Sequence, residues 1–240
     1  MIDKISCVIS CYNEKKNIPK LLNFIKRLNL EKKINFIIVN NGSTDNSTFI
    51  MRAFAKRYKN INFINLQKSP GWGAGIVHGL KLTRTRIVGW THGDLEYQMD
   101  DLKKVLKVIN SKSIFYNNKK NFFIKGSRVN RPLGKKLISK AMSLACSTIL
   151  GKRLVEINAQ PFFFHKKEFN NWKKIPKDLS LDLFAYEKVQ RKNYVSTRIG
   201  VEQRVRIHGV SSWNNGFLSK FYLIMTFLRR AVIILLCRYS

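Results

Sequence analysis
The sequence predicts an α/β fold, a mostly parallel central sheet flanked by helices. Apolar β-branched runs of strand length recur along the first part of the chain. Each is followed by apolar residues at helical spacing, and each junction carries polar residues. Ile5 to Ser10 precedes Ile18, Leu21, Leu22 and Ile25; Asn35 to Val39 precedes Phe49, Ile50 and Phe54. Ile61 to Asn65 reads as a third strand, followed by a helix that opens at Gly71-Trp72-Gly73-Ala74-Gly75 and runs through Ile76, Val77 and Leu80. Ile87-Val88-Gly89-Trp90 reads as a fourth strand.

The polar junctions are Cys11-Tyr12-Asn13-Glu14, Asn40-Asn41-Gly42-Ser43-Thr44-Asp45 and His92-Gly93-Asp94-Leu95-Glu96. Open α/β sheets bind ligands beyond the carboxyl ends of their parallel strands, which is where these clusters fall. A single such cluster would favour plain turn and cap duty; their recurrence favours a site. The glycine-rich helix start exposes backbone N–H groups at the positive end of a helix dipole, which suits a diphosphate. Extended backbone alternates its side chains, so His92, Asp94 and Glu96 are expected on one face, where they could hold a divalent ion.

Taken in order, Val8-Ile9-Ser10-Cys11-Tyr12-Asn13-Glu14, Val39-Asn40-Asn41-Gly42-Ser43-Thr44-Asp45, Gly71-Trp72-Gly73-Ala74 and His92-Gly93-Asp94 resemble the N-terminal half of family-2 glycosyltransferases. The resemblance implies the A-type, Rossmann-like nucleotide-sugar fold. It also implies a nucleotide site at Ser10, Tyr12, Glu14, Asn40, Asn41, Gly73 and His92, and a Mg²⁺ or Mn²⁺ ion on Asp94, with His92 and Glu96 as further candidates. Downstream, Gly126-Ser127-Arg128 with Arg131, Ile157-Asn158-Ala159-Gln160-Pro161-Phe162, Ser180-Leu181-Asp182-Leu183 and Arg206-Ile207-His208-Gly209-Val210-Ser211 are similar to the polyprenyl-phosphate sugar transferases of the dolichyl-phosphate mannose synthase type. That branch implies acceptor or phosphate contacts from Arg128, Arg131, Gln160, Arg206 and Ser211. The candidate catalytic residues are Asp94, acting through a metal on the leaving diphosphate, and Asp182, a base if the acceptor is a sugar hydroxyl and otherwise a cap for the helix that follows it. The similarity runs over about residues 4 to 213. Expected units are a transferase domain at 1–213, its nucleotide-sugar half ending near 125, and a C-terminal segment at 214–240.

Several positions depart from the family pattern. Ser10 stands for its proline, Asn40-Asn41 for its acidic pair, His92 for the first carboxylate of D-x-D, and Gln160-Pro161 for Ser-Gly. Amides still hydrogen-bond a base or ribose. Imidazole is a poor partner for Mg²⁺ and a better one for softer ions.

The 240 residues suffice for one domain with a real core. The four cysteines, Cys7, Cys11, Cys146 and Cys237, fit no zinc spacing and read as reduced thiols. No signal peptide precedes Ile5, so a cytoplasmic location is expected. With 45 Lys and Arg against 14 Asp and Glu, the formal charge is +31. No zinc finger, RNP-type strand or helix-turn-helix pattern points to a specific nucleic acid. An anionic membrane surface is the favoured partner, with a generally Lys-rich composition as the alternative source of the charge. Lys/Asn-rich patches such as Asn117 to Asn121 read as solvated loops.

The C-terminus fits that partner. Phe217, Phe221, Ile224, Leu228, Val232 and Leu235 form an apolar stripe at helical spacing, with Ser219, Tyr222, Thr226, Arg229 and Arg230 opposite. Arg229-Arg230 interrupts it, so it is expected to lie in the inner face of the membrane rather than span it. The alternative is a helix packed on the protein's own core. The expected function is sugar transfer from a nucleotide diphosphate to a polyprenyl phosphate or related cell-envelope glycan. A sugar-hydroxyl acceptor would need Asp182 as base. A non-catalytic, basic RNA-binding or scaffold protein of the same fold is the rival from another class. Oligomeric state is left open.

Overall fold
The computed structural model describes residues 4–111, 121–191, 194–204, 206, 208 and 216–237. Ser211 and residues 117–120 lie outside the described residues. The first half alternates strand and helix: β1 (Ile5–Cys11), α1 (Ile18–Arg27), β2 (Ile34–Asn41), α2 (Ser47–Arg57), β3 (Ile61–Leu66), α3 (Trp72–Leu82), β4 (Ile87–His92) and α4 (Asp101–Ile109). The second half holds β5 (Phe122–Val129), α5 (Leu133–Leu150), β6 (Phe162–His165), α6 (Lys166–Asn170), α7 (Leu181–Arg191), β7 (Val195–Glu202) and α8 (Phe217–Leu236).

The strands form one sheet in the order β3-β2-β1-β4-β6-β5-β7. β1 pairs in parallel with β2 and with β4, β2 with β3, and β5 with β7. β6 runs antiparallel to both neighbours, so it alone is reversed. The predicted α/β class and parallel sheet are therefore observed. Alternation along β1 explains why its residues are buried on both sides of the sheet. Ile5, Cys7, Ile9 and Cys11 enter the core under α1 and α4, whereas Val8 enters the opposite core under α3, α5, α7 and α8. The chain leaves β1 toward β2 and β3, then returns to place β4 on β1's other side. That reversal opens a crevice at the carboxyl ends of β1 and β4.

The C-terminal helix differs from its expected orientation. Phe227, Ala231 and Ile234 are buried, and Leu223, Leu228 and Leu235 pack against the same core. Arg230, expected on the polar side, turns inward and its Nε donates to Ser180 Oγ at 2.9 Å. Leu218, Phe221, Tyr222, Met225, Val232 and Leu236 face outward. The helix is apolar on most sides, one face buried in the core and the other exposed, and a single-stripe reading does not separate the two. Among the described residues no helix is long and apolar enough to cross a membrane.

Candidate active site
A cleft of about 700 Å³ opens at the strand ends. β1 contributes Ser10 and the following Tyr12 and Glu14; β2 contributes Asn41; the end of β4 contributes His92, Asp94 and Glu96. Arg128 and Arg131 enter from β5 and the turn after it, Asp182 from the first turn of α7, and Arg206 from beyond β7. Residues from strand ends in both halves of the chain thus line one cleft.

Asp94 and Arg206 form the centre. Nη2 of Arg206 donates to Asp94 Oδ2 at 2.6 Å and lies 3.7 Å from Glu14 Oε1, while its Nε lies 3.7 Å from Glu96 Oε1. Asp94 Oδ1 accepts the Glu96 backbone N–H at 3.1 Å. Burial opposes ionisation of Asp94, but His92, Arg206 and these hydrogen bonds together hold its carboxyl below the usual range. Burial raises Glu14, partly offset by Asn17 and Arg206. Arg206, grouped by sequence with the acceptor arginines, is therefore paired with the donor-side carboxylates.

The expected His92–Asp94–Glu96 ligand trio is not assembled. β4 ends at His92, and Leu95, at φ +63°, turns its side chain into the core, which breaks the alternation. The His92 ring stacks between Trp72, at 5.4 Å, and Tyr97, at 5.7 Å. Among the described residues no three His, Cys, Asp or Glu side chains stand together as a metal site. Asp94 and Glu96 nevertheless offer hard oxygen donors. With Glu14 they leave a formal excess of two negative charges around one guanidinium. Such a donor set fits a cation held by one or two carboxylates and completed by substrate phosphates.

Two predicted nucleotide contacts have other duties. Asn40 is buried, its Nδ2 donating to Thr48 Oγ1 at 2.7 Å and Asn65 Oδ1 at 2.6 Å, while its Oδ1 accepts the Ser43 N–H. It braces the turn after β2 and does not line the cleft. Gly73 is packed, not cradling: an added Cβ would stand 2.5 Å from Asp178 O and 2.9 Å from Pro176 O. The next N–H, of Ala74, already donates to Lys177 O. Gly71, at φ +106°, does line the cleft. Asn41 does as well; its Nδ2 donates to Gly71 O at 3.1 Å and its buried Oδ1 has no hydrogen-bond partner.

On the other wall, Nε of Arg128 bonds Glu156, and Nη1 of Arg131 donates to Ser139 Oγ at 2.9 Å. Lys135 and Lys220 add positive charge to this wall. Asp182 is fully enclosed on its protein side. Trp90 Nε1 donates to its Oδ1 at 3.0 Å and Gln160 Nε2 to its Oδ2 at 3.3 Å. Burial raises its pKa, against the pull of Lys125, His92 and these donors. Gln160, expected on the acceptor, is buried behind Asp182 and holds it instead. Lys125 lies beneath, donating to Ile157 O at 2.6 Å and Ala159 O at 2.9 Å, and burial pushes it down to about 7.

Trp72, Tyr97, Trp90, Lys125 and Glu156 were not singled out from sequence. Glu156 left a signal, being the first acidic residue after Asp101 across a strongly basic stretch. Trp72, Trp90 and Tyr97 are ordinary core types until the fold assembles them, and Lys125 reads as a surface charge until its burial is seen.

A mostly parallel sheet with a polar cleft at its switch point defines a ligand-handling α/β protein. The profile of glycosyl transferase family 2 matches residues 6–188, and the chain belongs to that family. It is 30% identical over 154 residues to a dolichyl-phosphate beta-glucosyltransferase of Trichomonas vaginalis, covering 61% of this chain and 47% of that one. It is 26% identical over 172 residues to a dolichol-phosphate mannosyltransferase of Pyrococcus furiosus, covering 69% and 47%. The chain thus spans about half the length of these curated relatives. The fold matches glucosyl-3-phosphoglycerate synthase of Mycobacterium tuberculosis, solved with Mn²⁺, UDP and glucosyl-3-phosphoglycerate. That match has a TM-score of 0.68 and 14% identity, covering 97% of this chain and 80% of that one.

Proposed function
We propose that the protein transfers a sugar from a nucleotide-diphosphate sugar to a polyprenyl phosphate presented at an anionic membrane surface on the cytoplasmic side. The carrying observation is the two-walled cleft. Asn41, Ser10 and Asp94 form one wall and Arg128, Arg131, Lys135 and Lys220 the other. The names of the dolichyl- and dolichol-phosphate transferases it resembles support the same acceptor class.

Asn41 and Ser10 offer neutral hydrogen-bond partners to base or ribose. Asp94 and Glu96 would hold a Mg²⁺ or Mn²⁺ ion, which when bound supplies positive charge to the leaving diphosphate. Arg131 and the terminal nitrogens of Arg128 hold an anionic acceptor oxygen, oriented by Glu156 and Ser139. A phosphate oxygen is already anionic near neutral pH, so no strong base is needed.

The helices over this wall supply the lipid side. Leu133, Leu137 and Leu144 on α5 are exposed, Leu133 by 77%, and so are Leu218, Phe221 and Tyr222 on α8. α5 and α8 pack together and both line the cleft, through Ile138 and Met142 and through Leu223 and Ile224. Outward leucines among Lys135, Lys136 and Lys140 suit an interface rich in anionic lipid.

Asp182 favours a second reading. A buried carboxyl raised above its ordinary range and lining the cleft can act as base toward a sugar hydroxyl. Incubation with radiolabelled UDP- and GDP-sugars, with farnesyl phosphate or a free sugar as acceptor, separates the two. Label in the lipid phase that falls at least roughly tenfold in Arg128→Ala or Arg131→Ala supports the first. Label only on free sugar selects the second. Salt-sensitive RNA binding with no nucleotide binding would select the non-catalytic rival.

A further inference from the structure
Arg206 occupies the place where the donor-side carboxylates converge, and it is incompletely satisfied there. Its Nη2 makes a 2.6 Å bond to Asp94, but its buried Nε has no hydrogen-bond partner among the described residues, the nearest carboxylate oxygen being Glu96 Oε1 at 3.7 Å. Half of a guanidinium fork is therefore unused in a part-buried site, which costs free energy that a better partner would recover. Three carboxyl groups meanwhile face a single positive charge.

We propose that Arg206 and a divalent cation are alternative partners of Asp94 and Glu96. Cation loading then releases the guanidinium to a phosphate group in the same cleft. The inference rests on the reading of this cleft as a diphosphate site, and it adds an exchange to that reading. Without a cation, Arg206 neutralises Asp94 and acts as an internal competitor. With a cation on the carboxylates, a nearby guanidinium is repelled by like charge and seeks an anion. A forked Arg–phosphate contact also satisfies the idle Nε–H. Cation and anion binding then reinforce each other, and by linkage the reinforcement is reciprocal.

A hydrogen bond to a charged partner corresponds to roughly tenfold to a hundredfold in affinity, which is the expected size of the competition. The test is Mn²⁺ titration of the full chain, followed by electron paramagnetic resonance, for wild type, Arg206→Gln and Arg206→Lys. Arg206→Gln should bind Mn²⁺ alone at least roughly tenfold tighter than wild type, with Arg206→Lys between them. UDP should tighten Mn²⁺ binding more in wild type than in Arg206→Gln. Repeating the titration with farnesyl phosphate in place of UDP tells whether the released guanidinium meets the donor's phosphate or the acceptor's.

A second measurement requires no variant. The Arg206 Nε–H resonance, assigned by ¹⁵N NMR, should shift when Mg²⁺ and UDP are added together. Equal or weaker Mn²⁺ binding by a folded Arg206→Gln, or an Nε–H resonance unmoved at saturation, overturns the exchange. Failure of UDP and GDP to bind under any condition sinks the diphosphate reading instead, while the Mn²⁺ comparison still decides the competition.

Discussion
In the proposed reaction Asp94 concentrates the donor chemistry in one side chain. It is buried, ionised below the usual carboxylate range, and bonded to both Arg206 and the Glu96 backbone. Asp94→Asn keeps the volume but removes the charge. Turnover is expected to fall on the order of a hundredfold or more, as when a preorganised electrostatic group is lost. Circular dichroism should show the fold intact, and calorimetry should show metal-assisted UDP or GDP binding weakened. Asp182 makes the complementary case. With a lipid-phosphate acceptor, Asp182→Asn should keep transfer within about tenfold, because general-base help, typically about a hundredfold or more, is not being drawn on. A larger loss, with an acid limb in the wild-type pH profile above the ordinary carboxylate range, would move the mechanism to a hydroxyl acceptor.

Among the elements, α5 and α8 carry the most specific expectation. Their inner faces belong to the core and their outer faces expose leucine, phenylalanine and tyrosine. Changing Leu137 and Phe221 together to Asp should abolish most sedimentation with anionic vesicles. The thermal midpoint should barely move, since both side chains are largely exposed. Phe227→Ala provides the contrast, because Phe227 is fully buried. It should cost about 3–5 kcal/mol of stability in denaturant melts. If the double variant unfolds instead, these faces are covered by protein rather than lipid.

At the scale of the whole molecule, two charge effects are measurable. The net charge of +31 predicts that vesicle binding is partly released by salt, because only the Coulombic part is screened. The second effect comes from Lys125, buried beside Phe162 and Tyr186. Burial lowers it to about 7 from an ordinary 10.5, with Arg198 and Arg128 adding to the shift and Asp182 and Glu156 opposing it. The unfolded chain therefore holds a proton at this site that the native state sheds, and stability rises with pH between about 7 and 10.5. The slope is at most about 1.4 kcal/mol per pH unit. Lys125→Met should remove that slope in urea melts from pH 7 to 9. It should also cost about 1–3 kcal/mol, since Ile157 O and Ala159 O lose their donor.

Sequence alone determined what depends on near neighbours along the chain. Ile5 to Ser10 and Asn35 to Val39 lie within β1 and β2, and the clusters after them end at the cleft, because strand length, helical spacing and turn chemistry are local properties. Asp94 was singled out by its place just after the β4 run together with the family resemblance, and Asp182 by the resemblance alone; both line the cleft. Only the tertiary structure decided which polar residue of a pair faces the cleft. Asn40 and Asn41 are adjacent, yet one braces α2 and β3 while the other meets α3 and the cavity, since a strand sends neighbours to opposite faces. The same holds for Gly73, whose missing Cβ makes room for the 176–178 segment, and for Arg206, which the Tyr97–Gln203 bridge and the Arg204 N–H bond to Glu96 O set beside Asp94. Local alternation separates Asn40 from Asn41, but which face meets the cleft, like the placing of Gly73 and Arg206, follows from packing between distant parts of the chain.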